Sequence, residues 1–451
     1  MEFNPLPIIL AAVGSYFLIR LRFFFILHPI GTTSRGLRAI KDKRARRSFF
    51  LALAGTLGVG NVFGVAIGIM IGGAGSLFWL FISMFFAMII KYAEVVITSD
   101  NLYHDRDTHG GINYVIRASF KLGGGLLSSL YSVAVLGLSL VMGAALQADA
   151  VRESMSSTVS IPRASLAAIL ILITAAAIIG GARKIEKITA IVIPLTTIIY
   201  IFITLGIIVM HCNRLLYVTM DIIYSAFDFE SALGGGIGFL LSGPLREGFA
   251  RGILSNEAGA GTSSIAHARS GVLSPASAGI LGIFEVWFDT GIICMLTGFS
   301  ILLSVPDISM FDSGMDLIAY SVGNIFGLPG KIAMVLSVFA FAFATVICWY
   351  YYGSEAWSSL FGKRNNVIFI PLFLSFIFIG CFAETMLLVF LTDAFMLIAT
   401  FLTLSALIKN SDRIKHLSES GGVVRSERGT IRRFRIKSIR ESVFSKGGRD
   451  R

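Results

Sequence analysis

Long blocks of apolar residues dominate this sequence of 451 residues. Most blocks hold about 18 residues or more, and a helix needs about 20 apolar residues to cross a bilayer core of about 30 Å. Backbone polar groups cannot bond to water inside the bilayer, so such a block has to form a helix or lie in a cavity that helices surround. Only 14% of the residues are charged, against about 25% in soluble domains. The pattern predicts an all-α integral membrane protein.

We predict eleven transmembrane helices. The candidate spans are residues 6–28, 49–72, 76–98, 128–150, 165–181, 188–210, 236–268, 277–304, 330–358, 367–384 and 388–408. The block at 236–268 contains Arg251, Glu257 and His267, so a hydropathy profile alone would not identify it clearly as a span. We do not interpret the first block as a signal peptide, because no basic residue precedes it and a basic segment follows it.

Lysine and arginine residues predict which loops face the cytoplasm. A basic segment at 35–47 follows the first span, and the tail at 409–451 has 13 basic and 5 acidic residues. With eleven spans, the basic segment and the tail both lie inside and the N-terminus lies outside. We expect the membrane to be a cell membrane, namely a bacterial inner membrane. The tail also suits contact with anionic lipid. We expect no nucleic-acid partner, because no fold or aromatic platform accompanies the charge.

The sequence lacks the motifs that would indicate an enzyme. It contains neither H-E-x-x-H nor G-x-S-x-G. Its four cysteines are scattered without the paired spacing of a disulfide framework or a metal site. We therefore expect a protein without catalytic activity and without an organic cofactor.

Glycines interrupt the second span. Residues 55–64 read GTLGVGNVFG, and a glycine inside a helix costs about 1 kcal/mol relative to alanine. Clustered with Thr56 and Asn61 at mid-membrane, these glycines predict unwound backbone, which a bilayer tolerates only against protein or a wet cavity. Close helix packing through small residues is the alternative interpretation.

The seventh span contains a second interruption, at residues 255–262, which read SNEAGAGT. A carboxylate is costly in a membrane segment, so Glu257 predicts a functional site. The alternatives are that Glu257 lies near the interface or pairs with Arg251.

The positions of the two interruptions predict an inverted repeat. Once the first span is set aside, ten remain, and the interruptions fall in the first and the sixth. Five plus five helices, each half beginning with a broken helix, is typical of secondary transporters, in which freed amides bind a substrate carboxylate and freed carbonyls bind a cation. The predicted units are an N-terminal helix with a basic loop (1–48), two five-helix repeats (49–211 and 212–408) and a basic tail (409–451).

Six long motifs follow one another along the chain. They are GTLGVGNVFGVAIGIMIGGAGSLFW at 55–79, KYAEVV at 91–96, GGARKIEKITAIVIPL at 180–195, ARGILSNEAGAGTSSIAHA at 250–268, FEVWFDTGIICMLTG at 284–298 and FAFATVICWYYYGSEAWSSLFG at 341–362. In this order they resemble the alanine or glycine:cation symporter family, that of the sodium:alanine symporters. The resemblance covers most of residues 55–408. It implies a leucine-transporter-like fold and Na⁺-coupled uptake of alanine or glycine through a central site.

The resemblance, together with the free amides expected at the first interruption, indicates the residues that bind the substrate. They are Thr56, Gly58, Gly60, Gln147, Asn256, Gly259, Gly261, Thr345 and Trp349. Thr345 and Trp349 lie four residues apart and therefore share a helix face. The alternatives are that Trp349 is packing or part of an interfacial aromatic belt, and that Gln147 is solvated near the end of its helix.

For Na⁺ we expect oxygen ligands, because hard cations prefer oxygen. The candidates are the carbonyls around Gly55 and Gly58 and the hydroxyl of Thr345. The sequence does not separate Na⁺ from H⁺ as the coupling ion. An H⁺-coupled transporter therefore remains an alternative. An amino-acid sensor without transport is a further alternative. We expect a functional monomer.

Two pairs of charged residues lie within the spans. Lys91 and Glu94, three apart, are expected to form a structural ion pair or a gate. Glu285 and Asp289, four apart on one helix face, either belong to an ion pathway or pair with a nearby arginine. The candidate arginines are Arg246, Arg251 and Arg269.

Three motifs depart from the family pattern and leave the exact substrate and the cation stoichiometry open. The family's GGPG is GGAG at 72–75, and its GGPMYY is GGINYV at 110–115. The Pro-Asn of the final span is replaced by Ala399 and Thr400.

Overall fold

The computed structural model describes residues 5–100, 111–156, 161–227, 243–268, 274–311, 313–362 and 366–424. All regular structure in these residues is helical. The helices are α1 (Leu6–Arg20), α2 (Phe24–Leu27), α3 (Pro29–Ala39), α4 (Lys43–Thr56), α5 (Phe63–Gly72), α6 (Gly75–Thr98), α7 (Ile112–Ser119), α8 (Gly124–Ser156), α9 (Arg163–Ile178), α10 (Gly181–Met210), α11 (Leu215–Ala226), α12 (Gly243–Asn256), α13 (Ser263–His267), α14 (Pro275–Ser304), α15 (Gly314–Phe361), α16 (Asn366–Gly380), α17 (Thr385–Lys409) and α18 (Ser411–Ser420).

Among these, six helices are long and apolar enough to cross a membrane, namely α6, α8, α10, α14, α15 and α17. A seventh span results when α4 and α5 are counted as one bent pair. Three shorter apolar helices lie at Leu6–Arg20, Arg163–Ile178 and Val367–Gly380. Several apolar helices of this kind are typical of a multi-pass membrane protein. Eleven transmembrane helices and an inverted repeat remain predictions.

The first interruption lies where the glycines predict it. Helix α4 begins at an N-cap, where the Asp42 side chain accepts hydrogen bonds from two backbone amides, and it ends at Thr56. Gly58 is extended (φ −108°, ψ −160°), and a short 3₁₀ turn at Val59–Asn61 leads into α5. The two helical parts are bent by 61° at this break. The α-helical ladder ends with the bond from the Leu57 amide to the Leu53 carbonyl, and the carbonyls of Ala54, Gly55 and Leu57 accept hydrogen bonds from side chains instead.

The second interruption also lies where it was predicted. Helix α12 ends at Asn256 and α13 begins at Ser263. Three residues between them have positive φ, namely Glu257 (52°), Gly259 (91°) and Gly261 (76°). Glycine adopts this conformation readily, whereas a residue with a β-carbon such as Glu257 is strained there. The predicted seventh span begins at 236, outside the described residues, which resume at 243.

The helices pack so that both breaks lie inside the bundle. Helix α12 packs against α5 and α6, and α6 also packs against α14 and α1. On the other side of the first break, α15 packs against α4, α8 and α10. Helix α15 is itself bent at Gly327, whose φ of 60° is not helical, so that the predicted span at 330–358 forms its second part. The first break is therefore enclosed by α15 on one side and α12 on the other.

The departures from the family pattern fall in three different settings. Gly72 to Gly75 form the turn between α5 and α6, where Gly73 has a φ of 70°. The motif at 110–115 begins outside the described residues and continues into α7. Ala399 and Thr400 are fully buried in α17. Of the basic tail, the described part is α18, which packs against α6 and bonds Ser418 to Tyr92 at 2.8 Å.

Two glycines of α12 bring this helix into close contact with α6. A β-carbon on Gly248 would lie 2.6 Å from Trp79 Cβ and nearer still to the Ser76 carbonyl oxygen. Gly252 faces Ser83 one turn later. Glycines four apart allow two membrane helices to approach closely, and dispersion contacts then hold them together.

We predict that Gly248→Ala destabilises the folded protein by about 1–3 kcal/mol, because the methyl group has to displace backbone of α6. The thermal unfolding temperature of the purified protein in detergent measures this. Gly243→Ala in the same helix is the matched control, since a β-carbon there has no atom of the described residues within 4 Å. Equal unfolding temperatures for the two variants would contradict the packing argument.

Candidate functional site

The hydroxyl of Thr345 on α15 faces two carbonyls of the first break. Thr345 Oγ1 donates to the Ala54 carbonyl at 2.9 Å and also lies 3.3 Å from the Leu57 carbonyl. Thr345 is 1% exposed. Three oxygen atoms thus converge at the bend of the broken helix. Oxygen ligands suit a hard cation such as Na⁺.

The converging carbonyls belong to the residues directly before the glycines proposed for Na⁺. The Gly55 carbonyl accepts a hydrogen bond from Trp349 Nε1 at 3.3 Å. The Gly58 carbonyl accepts from the Asn61 amide at 3.4 Å within the 3₁₀ turn. The geometry therefore favours Ala54 and Leu57 over Gly55 and Gly58 as partners of Thr345.

Trp349 lies one turn after Thr345 and contacts the same break. Besides its bond to Gly55, its ring meets Tyr352 edge-on with centroids 5.4 Å apart. Trp349 is fully buried. A β-carbon on Gly143 would collide with the Trp349 side chain. The lack of a side chain at Gly143 therefore allows α8 to pack closely against α15. The prediction that Thr345 and Trp349 share one face is confirmed.

Gln147 reaches the first break from α8. Its Oε1 accepts a hydrogen bond from the Val59 amide at 3.3 Å, and its Nε2 donates to the Met142 carbonyl at 3.2 Å. Met142 belongs to a π-helical segment at Val141–Ala145, and such segments are frequent at functional sites. Gln147 is 4% exposed, so it is not solvated at the end of its helix.

Gly58 lies between these two side chains. A β-carbon on Gly58 would lie 3.0 Å from Thr345 Oγ1 and 3.1 Å from Gln147 Oε1. The Thr56 hydroxyl, in contrast, bonds within its own helix to the Leu53 carbonyl at 3.3 Å. The structure therefore brings Gly58, Gln147 and Thr345 together, with Trp349 beside them.

A cluster of polar side chains connects the two breaks. We name it the bridging cluster, and its members are Asn61, Ser255, Asn256, Asp289 and Thr290. Asn61 Nδ2 donates to Ser255 Oγ at 3.0 Å and to Asp289 Oδ1. Ser255 Oγ donates to Asp289 Oδ2 at 2.8 Å, and Thr290 Oγ1 donates to the same oxygen at 3.0 Å. Asn256 Nδ2 contacts Thr290 Oγ1 at 3.3 Å.

The bridging cluster holds a buried acid without a basic partner. Asp289 is fully buried in the π-helical segment Trp287–Cys294 of α14, and no ion pair of the described residues includes it. Asn61 Oδ1 is likewise buried without a hydrogen-bond partner among these residues. Gly60 lies beside the cluster, since a β-carbon there would be 3.8 Å from Ser255 Cα. Asn61 and Ser255 were not predicted from the sequence as site residues, although Asn61 lies within the first interruption.

Gly259 and Gly261, both proposed for the substrate, have other neighbours. The Gly259 amide donates to Glu94 Oε1 at 2.6 Å, and a β-carbon on Gly259 would lie 3.0 Å from Thr400 Cγ2. A β-carbon on Gly261 would lie 2.9 Å from the hydroxyl of Tyr131. The neighbours of these two glycines therefore belong to α1, α6, α7, α8 and α17 rather than to the helix that carries Thr345. Of the residues proposed in the second break, Asn256 alone joins the bridging cluster.

Buried charges pair differently from the predictions. Lys91 Nζ lies 3.5 Å from Glu285 Oε1, and His267 Nε2 lies 2.9 Å from Glu285 Oε2. The predicted ion pair of Lys91 with Glu94 is wrong, because Lys91 faces α14 whereas Glu94 faces the second break.

The arginines of α12 pair within their own helix. Arg246 and Arg251 lie 3.3 and 3.2 Å from the carboxylate of Glu247. The predicted pairing of these arginines with Glu285 and Asp289 is therefore wrong, and Arg269 lies outside the described residues.

Glu257, for which pairing with Arg251 or a place near the interface was the alternative to a functional role, is 2% exposed in the second break. Its Oε2 accepts a hydrogen bond from Thr262 at 2.7 Å. Arg251 is bonded to Glu247 instead. The pairing of Glu257 with Arg251 is therefore wrong.

Comparison with protein families gives one match over nearly the whole chain. The family model described as "Sodium:alanine symporter family" matches residues 2–419. The match includes both breaks, the bridging cluster and Thr345.

Curated relatives of similar length carry related names. The sodium/alanine symporter AgcS of Methanococcus maripaludis is 29% identical over 351 residues, which cover 75% of each chain. The amino-acid carrier protein AlsT of Bacillus subtilis is 30% identical over 355 residues, covering 76% of this chain and 73% of the relative. A protein of Bacillus subtilis named "Probable sodium/glutamine symporter GlnT" is 28% identical over 417 residues, covering 89% and 84%.

Proposed function

Since the chain belongs to the sodium:alanine symporter family, we propose that it carries alanine or glycine across a cell membrane together with Na⁺ by alternating access. The family is one of transporters, so the chain is a sodium-coupled amino-acid symporter and not an enzyme. Its apolar helices make it a multi-pass membrane protein. We further propose an outside N-terminus and a cytoplasmic tail on the basis of the distribution of basic residues. We also propose a functional monomer, because the two breaks lie in one chain and differ in sequence.

One observation carries this proposal. The first break presents the Ala54 and Leu57 carbonyls to the hydroxyl of Thr345, all buried within the bundle. Carbonyls freed from a helix that is broken inside a membrane bundle are the ligands that secondary transporters use for a coupling cation. We propose that Na⁺ binds among these three oxygens.

The bridging cluster offers a second place for Na⁺. Asp289 brings a carboxylate, Ser255 a hydroxyl and Asn61 a carbonyl oxygen that lacks a hydrogen-bond donor among the described residues. A buried carboxylate without a basic partner is costly, and a bound cation would offset that cost. The cluster also joins the first break to α12 and α14, so a cation there would influence how the two broken helices meet.

The substrate is proposed to lie between these two cation positions, beside Gly58. Backbone amides of the first break would receive its carboxylate, because they need no side chain and glycine leaves space for the ligand. Gln147 and Thr345 approach this position from opposite helices. Trp349 would limit the room for the substrate's side chain, which favours alanine and glycine over larger amino acids.

The decisive experiment is uptake of labelled amino acid into proteoliposomes that contain the purified protein. An inward Na⁺ gradient is expected to drive accumulation of labelled alanine or glycine above the level reached without a gradient. Replacement of external Na⁺ by choline is expected to abolish this accumulation. If choline has no effect while collapse of an imposed pH gradient stops uptake, Na⁺ is not the coupling ion.

Glutamine is the second candidate substrate, because the relative GlnT is named for it. Uptake of labelled glutamine into the same proteoliposomes distinguishes a glutamine carrier from a carrier of alanine or glycine. Competition of alanine uptake by excess glutamine, with no effect of glycine, would overturn the preference for the smallest amino acids.

A further inference from the structure

Glu94 is a fully buried acid at the second break with one free carboxylate oxygen. Its Oε1 accepts the hydrogen bond from the Gly259 amide at 2.6 Å. Its Oε2 is buried and forms no hydrogen bond of good geometry among the described residues, although the Gly261 amide also lies near this carboxylate. No ion pair of these residues includes Glu94, since the nearby amine of Lys91 lies against Glu285 and donates to Ser263 at 2.7 Å.

A second buried oxygen near the same glycine also lacks a partner. Thr400 on α17 is fully buried, and its Oγ1 has no hydrogen-bond partner within the described parts of the chain. A β-carbon on Gly259 would lie 3.0 Å from the Thr400 methyl group and 2.8 Å from Leu10 on α1. The surroundings of Gly259 therefore combine two unsatisfied oxygens with apolar packing.

The titratable groups around Glu94 include more acids than bases. The titratable groups of the neighbouring helices are Lys91 on α6, Tyr131 on α8, Glu257 in the second break, His267 on α13 and Glu285 on α14. Lys91 and His267 both bond to the single carboxylate of Glu285. Tyr131 donates its hydrogen bond to the Ala260 carbonyl at 2.9 Å. Within the described residues, no basic group therefore forms an ion pair with Glu94.

We propose that Glu94 binds a proton, so that the second break carries a proton site in addition to the Na⁺ sites proposed above. A hydronium ion gives one proton to the carboxylate, which yields a neutral carboxyl group and water, and the reverse step releases it. A carboxylate accepts hydrogen bonds only, whereas a carboxyl group also donates one. Protonation removes an unpaired charge from the interior and supplies a donor beside Gly259.

The site links protonation to the shape of the second broken helix. Gly259 has a φ of 91°, and its amide is held by Glu94 on α6. A charged acceptor binds an amide more strongly than a neutral one does. Gain or loss of the proton therefore changes how firmly the break is held to α6.

Infrared difference spectroscopy of the full-length protein in lipid tests the proposal without requiring transport. Spectra are recorded between acidic and alkaline buffers, in H₂O and in D₂O, and the C=O stretch of a protonated carboxyl group is followed. The wild-type protein is expected to show a buried carboxyl band, and Glu94→Gln is expected to lose the intensity of one group. Glu153→Gln is the matched control, since Glu153 accepts a serine hydrogen bond at 2.6 Å outside this site.

An unchanged band in Glu94→Gln, or no buried carboxyl band in the wild-type protein, would overturn the proposal. If the glutamine variant fails to fold, Glu94→Asp replaces it, and the same band is expected to shift in frequency; an unshifted band again overturns the proposal. Failure of the Na⁺-driven uptake experiment leaves the infrared result unaffected, so the two proposals fail separately.

Discussion

Asp289→Asn is expected to lower the apparent affinity for Na⁺ in amino-acid uptake by about 10- to 100-fold. The substitution keeps the size of the side chain but removes the negative charge. Its amide oxygen can still accept from Asn61, whereas its amide nitrogen has to donate to Ser255 Oγ, which reverses that hydrogen bond. Interactions with a charged group are worth about 1.5–3 kcal/mol, and each 1.4 kcal/mol corresponds to a factor of ten in binding. Uptake into proteoliposomes at a series of Na⁺ concentrations measures the change.

Asp307→Asn provides the matched control for this loss. Asp307 is an exposed acid that accepts a hydrogen bond from the Ser309 amide at 2.9 Å, and an asparagine can accept the same bond. Its replacement is expected to leave the Na⁺ dependence unchanged. If Asp289→Asn also leaves the Na⁺ dependence unchanged, the bridging cluster is a structural network and Na⁺ binds elsewhere.

The breaks in the two helices were predictable because their causes are local. Glycine clusters with threonine and asparagine at residues 55–64, and a similar cluster lies at 255–262. Both sequences oppose a continuous helix through backbone preference alone. The meeting of Thr345 and Trp349 on one face follows from helical periodicity in the same way. Local rules therefore located the broken helices and part of the site.

The partners of the buried charges were not predictable in this way. Asn61 and Asp289 are 228 residues apart in the chain, so their contact depends on how the first break and α14 are oriented against each other. Lys91 was assigned to the nearest acid in sequence, Glu94, but the packing of α6 on α14 places it at Glu285. Helical spacing shows which residues share a face and does not show which helix that face meets.

Gly259 and Gly261 show a further limit of the sequence. Their positive φ values explain why glycine is needed at the second break, independently of any ligand. Glycines at a break therefore serve either to shape the backbone or to leave room for a substrate. The structure distinguishes these roles through the neighbours of each glycine, which for Gly58 are Gln147 and Thr345 and for Gly259 are Glu94 and Thr400.

Gly58→Val is expected to abolish uptake of every amino acid that the protein carries. A β-carbon at this position already lies 3.0 Å from Thr345 Oγ1 and 3.1 Å from Gln147 Oε1. The two additional methyl groups of valine would occupy the proposed carboxylate position, and overpacking of this kind costs about 1–3 kcal/mol even before a ligand is displaced. Binding of labelled alanine to the purified variant, together with uptake in proteoliposomes, measures the loss.

Gly64→Ala is the control that distinguishes a blocked substrate site from a general effect of substitution on the broken helix. Gly64 lies in α5, directly after the same break, and a β-carbon there has no atom within 4 Å. Because alanine favours a helix over glycine by about 1 kcal/mol, this variant is expected to fold and to carry amino acid at the wild-type rate. If Gly58→Val folds and still binds alanine normally, the carboxylate does not lie beside Gly58. The glycine would then serve only to let α4 approach α15, and the substrate would have to be sought nearer the bridging cluster.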